Sequence, residues 1–144
     1  MTSAINSFGT LLKRGDGGNT ESFATIAEVL DISGPGLKAN TEDVTNHGSS
    51  GGYEEIIVTT LAAGDVKFDL NFQPVAATHS QTSGLLLDFK NKTKRNFQLV
   101  FPDSGTTTWA FSGYVTGFEP KAPVKGKLSA TVTLSLTGAP TLAD

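Results

Sequence analysis

Between Lys127 and Thr137 the side chains alternate without a break: Leu128, Ala130, Val132, Leu134 and Leu136 are apolar, while Lys127, Ser129, Thr131, Thr133, Ser135 and Thr137 are polar. A period of two places one set on each face of an extended chain, so this segment reads as a half-buried β-strand. Burying its large apolar side chains gains roughly 1.5–3 kcal/mol apiece. Ordering each backbone residue costs about 1–2 kcal/mol. The strand cannot hold itself together, and it commits the chain to sheet neighbours on both sides and a packed face beneath.

Those neighbours are legible elsewhere. Phe97, Leu99 and Phe101 share a face of a strand that stops at the turn Pro102-Asp103-Ser104-Gly105. Trp109, Phe111 and Val115 then alternate with polar or small residues as far as Pro120, and Val66, Phe68, Leu70 and Phe72 alternate as far as Pro74. Glu55–Leu61 is apolar on both faces, the pattern of a central strand. Phe23–Ile32 is β-prone, but Glu28 interrupts the series Ile26, Leu30, Ile32, which predicts a bulge. Leu11 and Leu12 form a short first strand before the glycine-rich turn 15–19. One helix is predicted from Thr78, where Thr78 and Gln81 have capping-box spacing and Leu85, Leu86 and Phe89 then share a face.

The segment from Asn40 to Gly52 is polar and glycine-rich and reads as a long mobile loop, at about residues 40–55. Its charge is one-sided. From Asn40 to Glu55 there are Glu42, Asp43, Glu54 and Glu55 and no lysine or arginine, so this stretch carries −4 of a net −3 and the remainder sums to +1. Lys90, Lys92, Lys94 and Arg95 form one basic group and Lys121, Lys125 and Lys127 another, each a candidate docking surface for something acidic.

Length and composition fit one domain over residues 1–144. With 38% hydrophobic and 17% charged residues the chain is neither a disordered polyelectrolyte nor a membrane protein. It has no basic excess to drive nucleic-acid binding by counterion release. There is no cysteine, hence no disulfide and no thiolate metal site. No export signal is recognisable near the start, and synthesis in a cytoplasm is expected.

Chemistry finds little support. Gly48-Ser49-Ser50-Gly51-Gly52 matches the G-x-S-x-G pattern of a hydrolase nucleophile, but polar residues precede it and a β-prone segment follows, where that motif needs a strand and a helix. His47 and His79 are the only imidazoles, and neither has a second ligand at metal spacing; His79 reads as a surface or capping residue. Asp65 with Asp69, and Glu54 with Glu55, read as exposed strand carboxylates. The expectation is no enzyme, no metal and no cofactor.

Several stretches taken in order resemble the tail tube (major tail) proteins of bacteriophages with long non-contractile tails. They are Phe8-Gly9-Thr10, Ile26-Ala27-Glu28-Val29, Ile32-Ser33-Gly34-Pro35, Asp43-Val44-Thr45-Asn46-His47 and Phe68-Asp69-Leu70-Asn71-Phe72-Gln73-Pro74. Phe101-Pro102-Asp103, Thr107-Thr108-Trp109-Ala110-Phe111, Tyr114-Val115-Thr116-Gly117-Phe118 and Val132-Thr133-Leu134-Ser135-Leu136-Thr137-Gly138 continue the series. The resemblance implies an all-β fold with one α-helix, a β-sandwich or barrel whose copies form rings of six that stack into a hollow tube for DNA ejection.

It further implies tail tip and terminator proteins as partners, and a tape measure protein and then DNA in the lumen, held without specific binding and with no membrane. It implies a place in the virion tail after assembly in the host bacterial cytoplasm. The immunoglobulin-like C-terminal domain of some relatives is expected to be absent. By the same resemblance the long loop orders on the adjacent ring, with Glu42, Asp43, Val44, His47, Tyr53, Glu54 and Glu55 at the matching positions. Two other readings stand beside it: a tube subunit of a headless tail-like bacteriocin or related injection machine, and a monomeric β-sandwich binding module.

Overall fold

The computed structural model describes residues 2–143, so Met1 and Asp144, the ends of the expected domain, lie outside the described residues. In chain order the strands are β1 (Leu11–Gly15), β2 (Phe23–Thr25), β3 (Val29–Ser33), β4 (Lys38–Asp43), β5 (Ile56–Ala62) and β6 (Asp65–Asn71). The helix α1 (Leu85–Asn91) follows, then β7 (Arg95–Val100), β8 (Thr108–Lys121) and β9 (Ser129–Ala143).

Seven strands form one sheet in the order β2-β1-β7-β8-β9-β6-β3, and β4 pairs with β5 in a separate two-stranded ribbon. The large sheet is forced to curl. Its edge strands β2 and β3 are separated in the chain only by residues 26–28, which bridge at most about 14 Å. Laid flat, seven strands would hold those edges roughly 29 Å apart. The sheet folds over into a β-sandwich-like arrangement, and the linker is tied to both sides: the Ile26 amide donates to the Leu12 carbonyl and the Asn71 amide to the Glu28 carbonyl, each at 2.9 Å.

Inside the curl lie the alternating residues that the sequence marks. Val66, Phe68 and Leu70 of β6, Phe97 and Leu99 of β7, Phe111 and Val115 of β8, and Ala130, Val132 and Leu134 of β9 form one cluster with Leu12, Ile26 and Leu85. The alternation around Leu134 is the spine of this core: β9 pairs with β6 through Val66↔Leu134 and Phe68↔Val132 and with β8 through Val115↔Leu134. The strand runs further than expected, to Ala143, while Leu128 lies just before it and is 40% exposed.

Five expectations need correction. The predicted single strand Phe23–Ile32 is two strands on opposite edges, broken where Glu28 takes a left-handed φ of 58°, with an irregularity in pairing between Val29 and Ile32. The helix begins at Leu85, with Gly84 as its N-cap and no side-chain cap. Thr78 serves elsewhere, accepting a hydrogen bond from the Ala27 amide at 3.0 Å, and residues 73–84 form successive turns. The helix is also rotated from the expected face, because Leu85 and Asp88 are buried while Phe89 is 47% exposed.

His79 is fully buried and is not a surface residue. Its Nδ1 accepts from the Gln73 amide at 3.1 Å and its Nε2 lies 2.7 Å from the Ala27 carbonyl, so the neutral Nε2–H form satisfies both bonds. The histidine locks the linker between β2 and β3 to the turn after β6. Finally, the Glu55–Leu61 segment is not central. It is β5, whose every residue is exposed.

Candidate assembly interface

The acidic stretch with Glu42, Asp43, Glu54 and Glu55 belongs to an exposed β-hairpin. Of the predicted loop, residues 40–43 are strand, paired through Asp43↔Ile56, Glu42↔Ile57 and Thr41↔Val58. What remains between the strands, residues 44–55, is a tip held by its own hydrogen bonds. The Val44 amide donates to the Glu55 carbonyl at 2.9 Å, the Glu55 amide to the Thr45 hydroxyl at 2.8 Å, and the Ser49 hydroxyl to the Glu55 carboxylate at 2.7 Å. Hydrogen bonds from the Thr45 hydroxyl and amide hold the exposed Asp43 carboxyl below the usual carboxylate range. His47 and Glu54 are exposed in this tip.

The apolar side chains of the hairpin have nothing to pack on. The pairing puts Ile56, Val58 and, past the register shift, Leu61 on one face and Ile57 on the other, and these are 62, 59, 79 and 51% exposed. Tyr53 at the tip is 78% exposed, Leu37 at the base 58% and Val44 39%. A two-stranded ribbon is marginal alone in water, and a contiguous exposed apolar surface marks an interaction site. The apolar character of β5 on both faces is the sequence signal for this, and it is the same signal as for a central strand.

At its base the hairpin leaves the sheet where Gly64 packs backbone to backbone on Gly36. Gly64 has φ 74°, and any Cβ there would overlap the Gly36 carbonyl. The Leu136 amide donates to the Gly64 carbonyl at 3.0 Å. From this point Leu61, Ala62, Lys38 and Ala39 line a groove against Leu136–Pro140 of β9. The hairpin therefore departs toward the Ala143 end of β9, whereas β6 pairs with the other half, Ser129–Ser135.

The two basic groups lie on different parts of the subunit. Lys90, Lys92 and Lys94 are exposed beside the end of α1. Arg95 is not part of that free surface: its Nε donates to Asp88 at 2.8 Å and its Nη1 to the Asp16 carbonyl at 2.7 Å. Arg14 closes on the same Asp88 with Nε and with Nη2, the latter at 2.7 Å. This buried triad of Asp88 with two arginines joins α1 to β1 and β7. Lys121, Lys125 and Lys127 lie exposed around the β8–β9 turn, with Val124 fully exposed at its tip.

The serine motif sits in the hairpin tip as an exposed 3₁₀ turn, Ser50–Gly52, followed by the extended Tyr53 and no helix. Asp65 is exposed on β6, and Asp69 accepts from the Thr131 hydroxyl at 2.7 Å. Among the described residues, no group of three histidine, cysteine, aspartate or glutamate side chains could hold a metal ion, and no helix is long and apolar enough to cross a membrane.

Solved structures with this fold include phage-like tails and tubes. The chain is similar to a subunit in the tail of an empty gene transfer agent particle, refined with helical and sixfold symmetry, at TM-score 0.77 and 22% identity over 98% of this chain and 100% of that one. It is similar to a subunit of the sheath-tube complex of an extracellular contractile injection system, at 0.70 and 13% over 99% and 93%. It is also similar to the SPP1 tail tube, at 0.68 and 10% over 92% and 75%. No curated protein sequence matches significantly. The family model described as lambda phage tail tube protein matches residues 14–143. With nearly the whole chain matched, the protein belongs to the lambda phage tail tube protein family.

Proposed function

We propose that this subunit assembles into hexameric rings that stack as the hollow tube of a virion tail, that DNA passes through it without specific binding, and that the chain catalyses nothing. The observation that carries the reading is the β4–β5 hairpin, whose apolar side chains Ile56, Val58 and Leu61 on one face and Ile57 on the other are exposed in the single chain and call for cover by other copies. The sixfold symmetry of the gene transfer agent tail supports the ring number. The acidic hairpin, with Glu42, Asp43, Val44, His47, Tyr53, Glu54 and Glu55, is the contact to the adjacent ring, mobile in the free subunit and ordered in the tube. A lysine surface of that ring receives it. Tail tip, terminator and tape measure proteins complete the assembly, which is built in the host cytoplasm.

A tube of a headless injection machine is the second reading, favoured by the fold likeness to contractile injection systems. A monomeric binding module is not favoured, because the exposed aromatics Phe8, Tyr53, Phe89 and Tyr114 come from separate parts of the chain, and the ring pairs among the described residues join other aromatics. The test is electron microscopy of the concentrated purified protein, with light scattering on the same sample. Sixfold rings or hollow tubes are expected, with each subunit contact burying more than roughly 1,000 Å². A protein that stays monomeric at high concentration, with and without a tail tip complex to nucleate it, would overturn the proposal.

A further inference from the structure

The two charged surfaces that would join rings lie at opposite ends of the molecule, and the pairing of β8 with β9 fixes this. Lys121↔Ser129 is at one end of that long ladder and Thr108↔Ala143 at the other, roughly 40 Å away at ordinary strand rise. Lys121, Lys125, Lys127 and the exposed Val124 cap the first end. The hairpin leaves from the middle of β9 beside Leu136–Pro140, heading for the second. Its strand β4 and its tip hold Glu42, Asp43, Glu54 and Glu55. Asp31 and Asp103 lie at that end too, in a groove lined by Trp109 and Leu142. The outer half of the hairpin therefore carries carboxylates and no lysine or arginine, and the β8–β9 turn from Lys121 to Lys127 carries lysines and no carboxylate, with Glu28 and Glu119 flanking that turn's end of the ladder.

From this polarity we infer that the β8–β9 turn is the partner of the acidic hairpin: Lys121, Lys125 and Lys127 of one copy dock on Glu42, Asp43, Glu54 and Glu55 of a copy in the next ring, with Val124 against the apolar tip. The inference rests on the tube reading and names the surface that reading leaves open. Lys90, Lys92 and Lys94 are the less suited set. They flank β7 near Arg95, which pairs with Gly113 midway along β8, so they lie at the side of the ladder and not at its end. Arg95 itself spends its charge on Asp88. A contact between unlike poles is heterologous and leaves both ends free to repeat, so it propagates as an open stack and gives every ring the same polarity. Like poles would meet with charges of one sign, which biases rings against stacking in the reverse sense.

Charge reversal tests this. In the full chain, Lys121→Glu/Lys125→Glu/Lys127→Glu should raise the protein concentration needed for pelletable tubes by at least about tenfold, with unchanged circular dichroism and thermal midpoint because all three side chains are exposed. Adding Glu42→Lys/Glu54→Lys/Glu55→Lys to the same chain exchanges the poles and should restore tube formation to within about threefold of wild type. The inference is overturned if the triple lysine variant forms tubes at the wild-type concentration, if the exchanged-pole chain is not rescued, or if reversal of Lys90, Lys92 and Lys94 is what abolishes stacking. Any of these with wild-type tubes present leaves the tube reading standing. Absence of tubes from the wild type itself overturns both.

Discussion

Asp88 shows how much a single side chain can decide without leaving a readable sign. It occupies the helix position that faces the core beside Leu85, it is 1% exposed, and two guanidiniums reach it from β1 and β7. Sequence periodicity assigns that face to Leu85, Leu86 and Phe89, because a carboxylate inside is excluded unless its partners are known. Arg14 is 74 residues away in the chain, and no local pattern connects them. His79 is the same case, since its buried role depends on carbonyl and amide groups of two distant turns. Removing one member of a buried ion cluster strands the others in low dielectric. Asp88→Ala should therefore cost about 3–5 kcal/mol, read as a lowered urea midpoint at unchanged slope. A loss below about 1 kcal/mol would mean that water reaches both arginines and that the triad does not hold the helix to the sheet.

At the scale of elements, the sheet core is largely legible and the hairpin is not, for one physical reason. Alternation reports which side of a strand avoids water, and for β6, β7, β8 and β9 the avoided side is the interior of this same chain. Leu134 is 0% exposed between Val66 of β6 and Val115 of β8. Its replacement by alanine should cost about 2–5 kcal/mol, since neighbours held by two ladders can close the cavity only in part. An unchanged denaturation midpoint would mean that the buried face has been misassigned. For β5 the same signal points outward. Ile56, Ile57, Val58 and Leu61 look like a central strand, yet they are exposed in the single chain, and a sequence does not say whose atoms cover an apolar residue. Likewise, Phe23–Ile32 reads as one element because nothing local reveals that residues 26–28 cross from one edge of a rolled sheet to the other.

For the molecule as a whole, the core and the hairpin are separate, and on the tube reading that division separates folding from assembly. No member of the buried core cluster, and no residue packed on it, falls between Ile32 and Val66. The hairpin can therefore be shortened without touching what makes the subunit fold. Ala39 and Leu61 stand opposite each other in the ribbon, so replacing residues 40–60 by Asn-Gly joins them through a two-residue turn of the kind hairpins favour. The stump keeps the glycine crossing of Gly36 and Gly64 and the bond from Leu136. Such a variant should unfold within about 1 kcal/mol of the wild type, as changes away from core and caps generally do. It should also be more soluble, having lost Tyr53, Ile56, Ile57 and Val58 from its surface. It should form no tubes under any condition in which the full chain does. Hydrogen exchange adds the kinetic side: amides of β4 and β5 should exchange far faster than those of β9 in the free subunit and become protected in the tube, because β9, unlike β4 and β5, has a strand paired along each edge before assembly. Tubes from the shortened chain, or hairpin amides as protected as β9 in the monomer, would show that the hairpin is a finished part of the subunit and that the rings are joined by another surface.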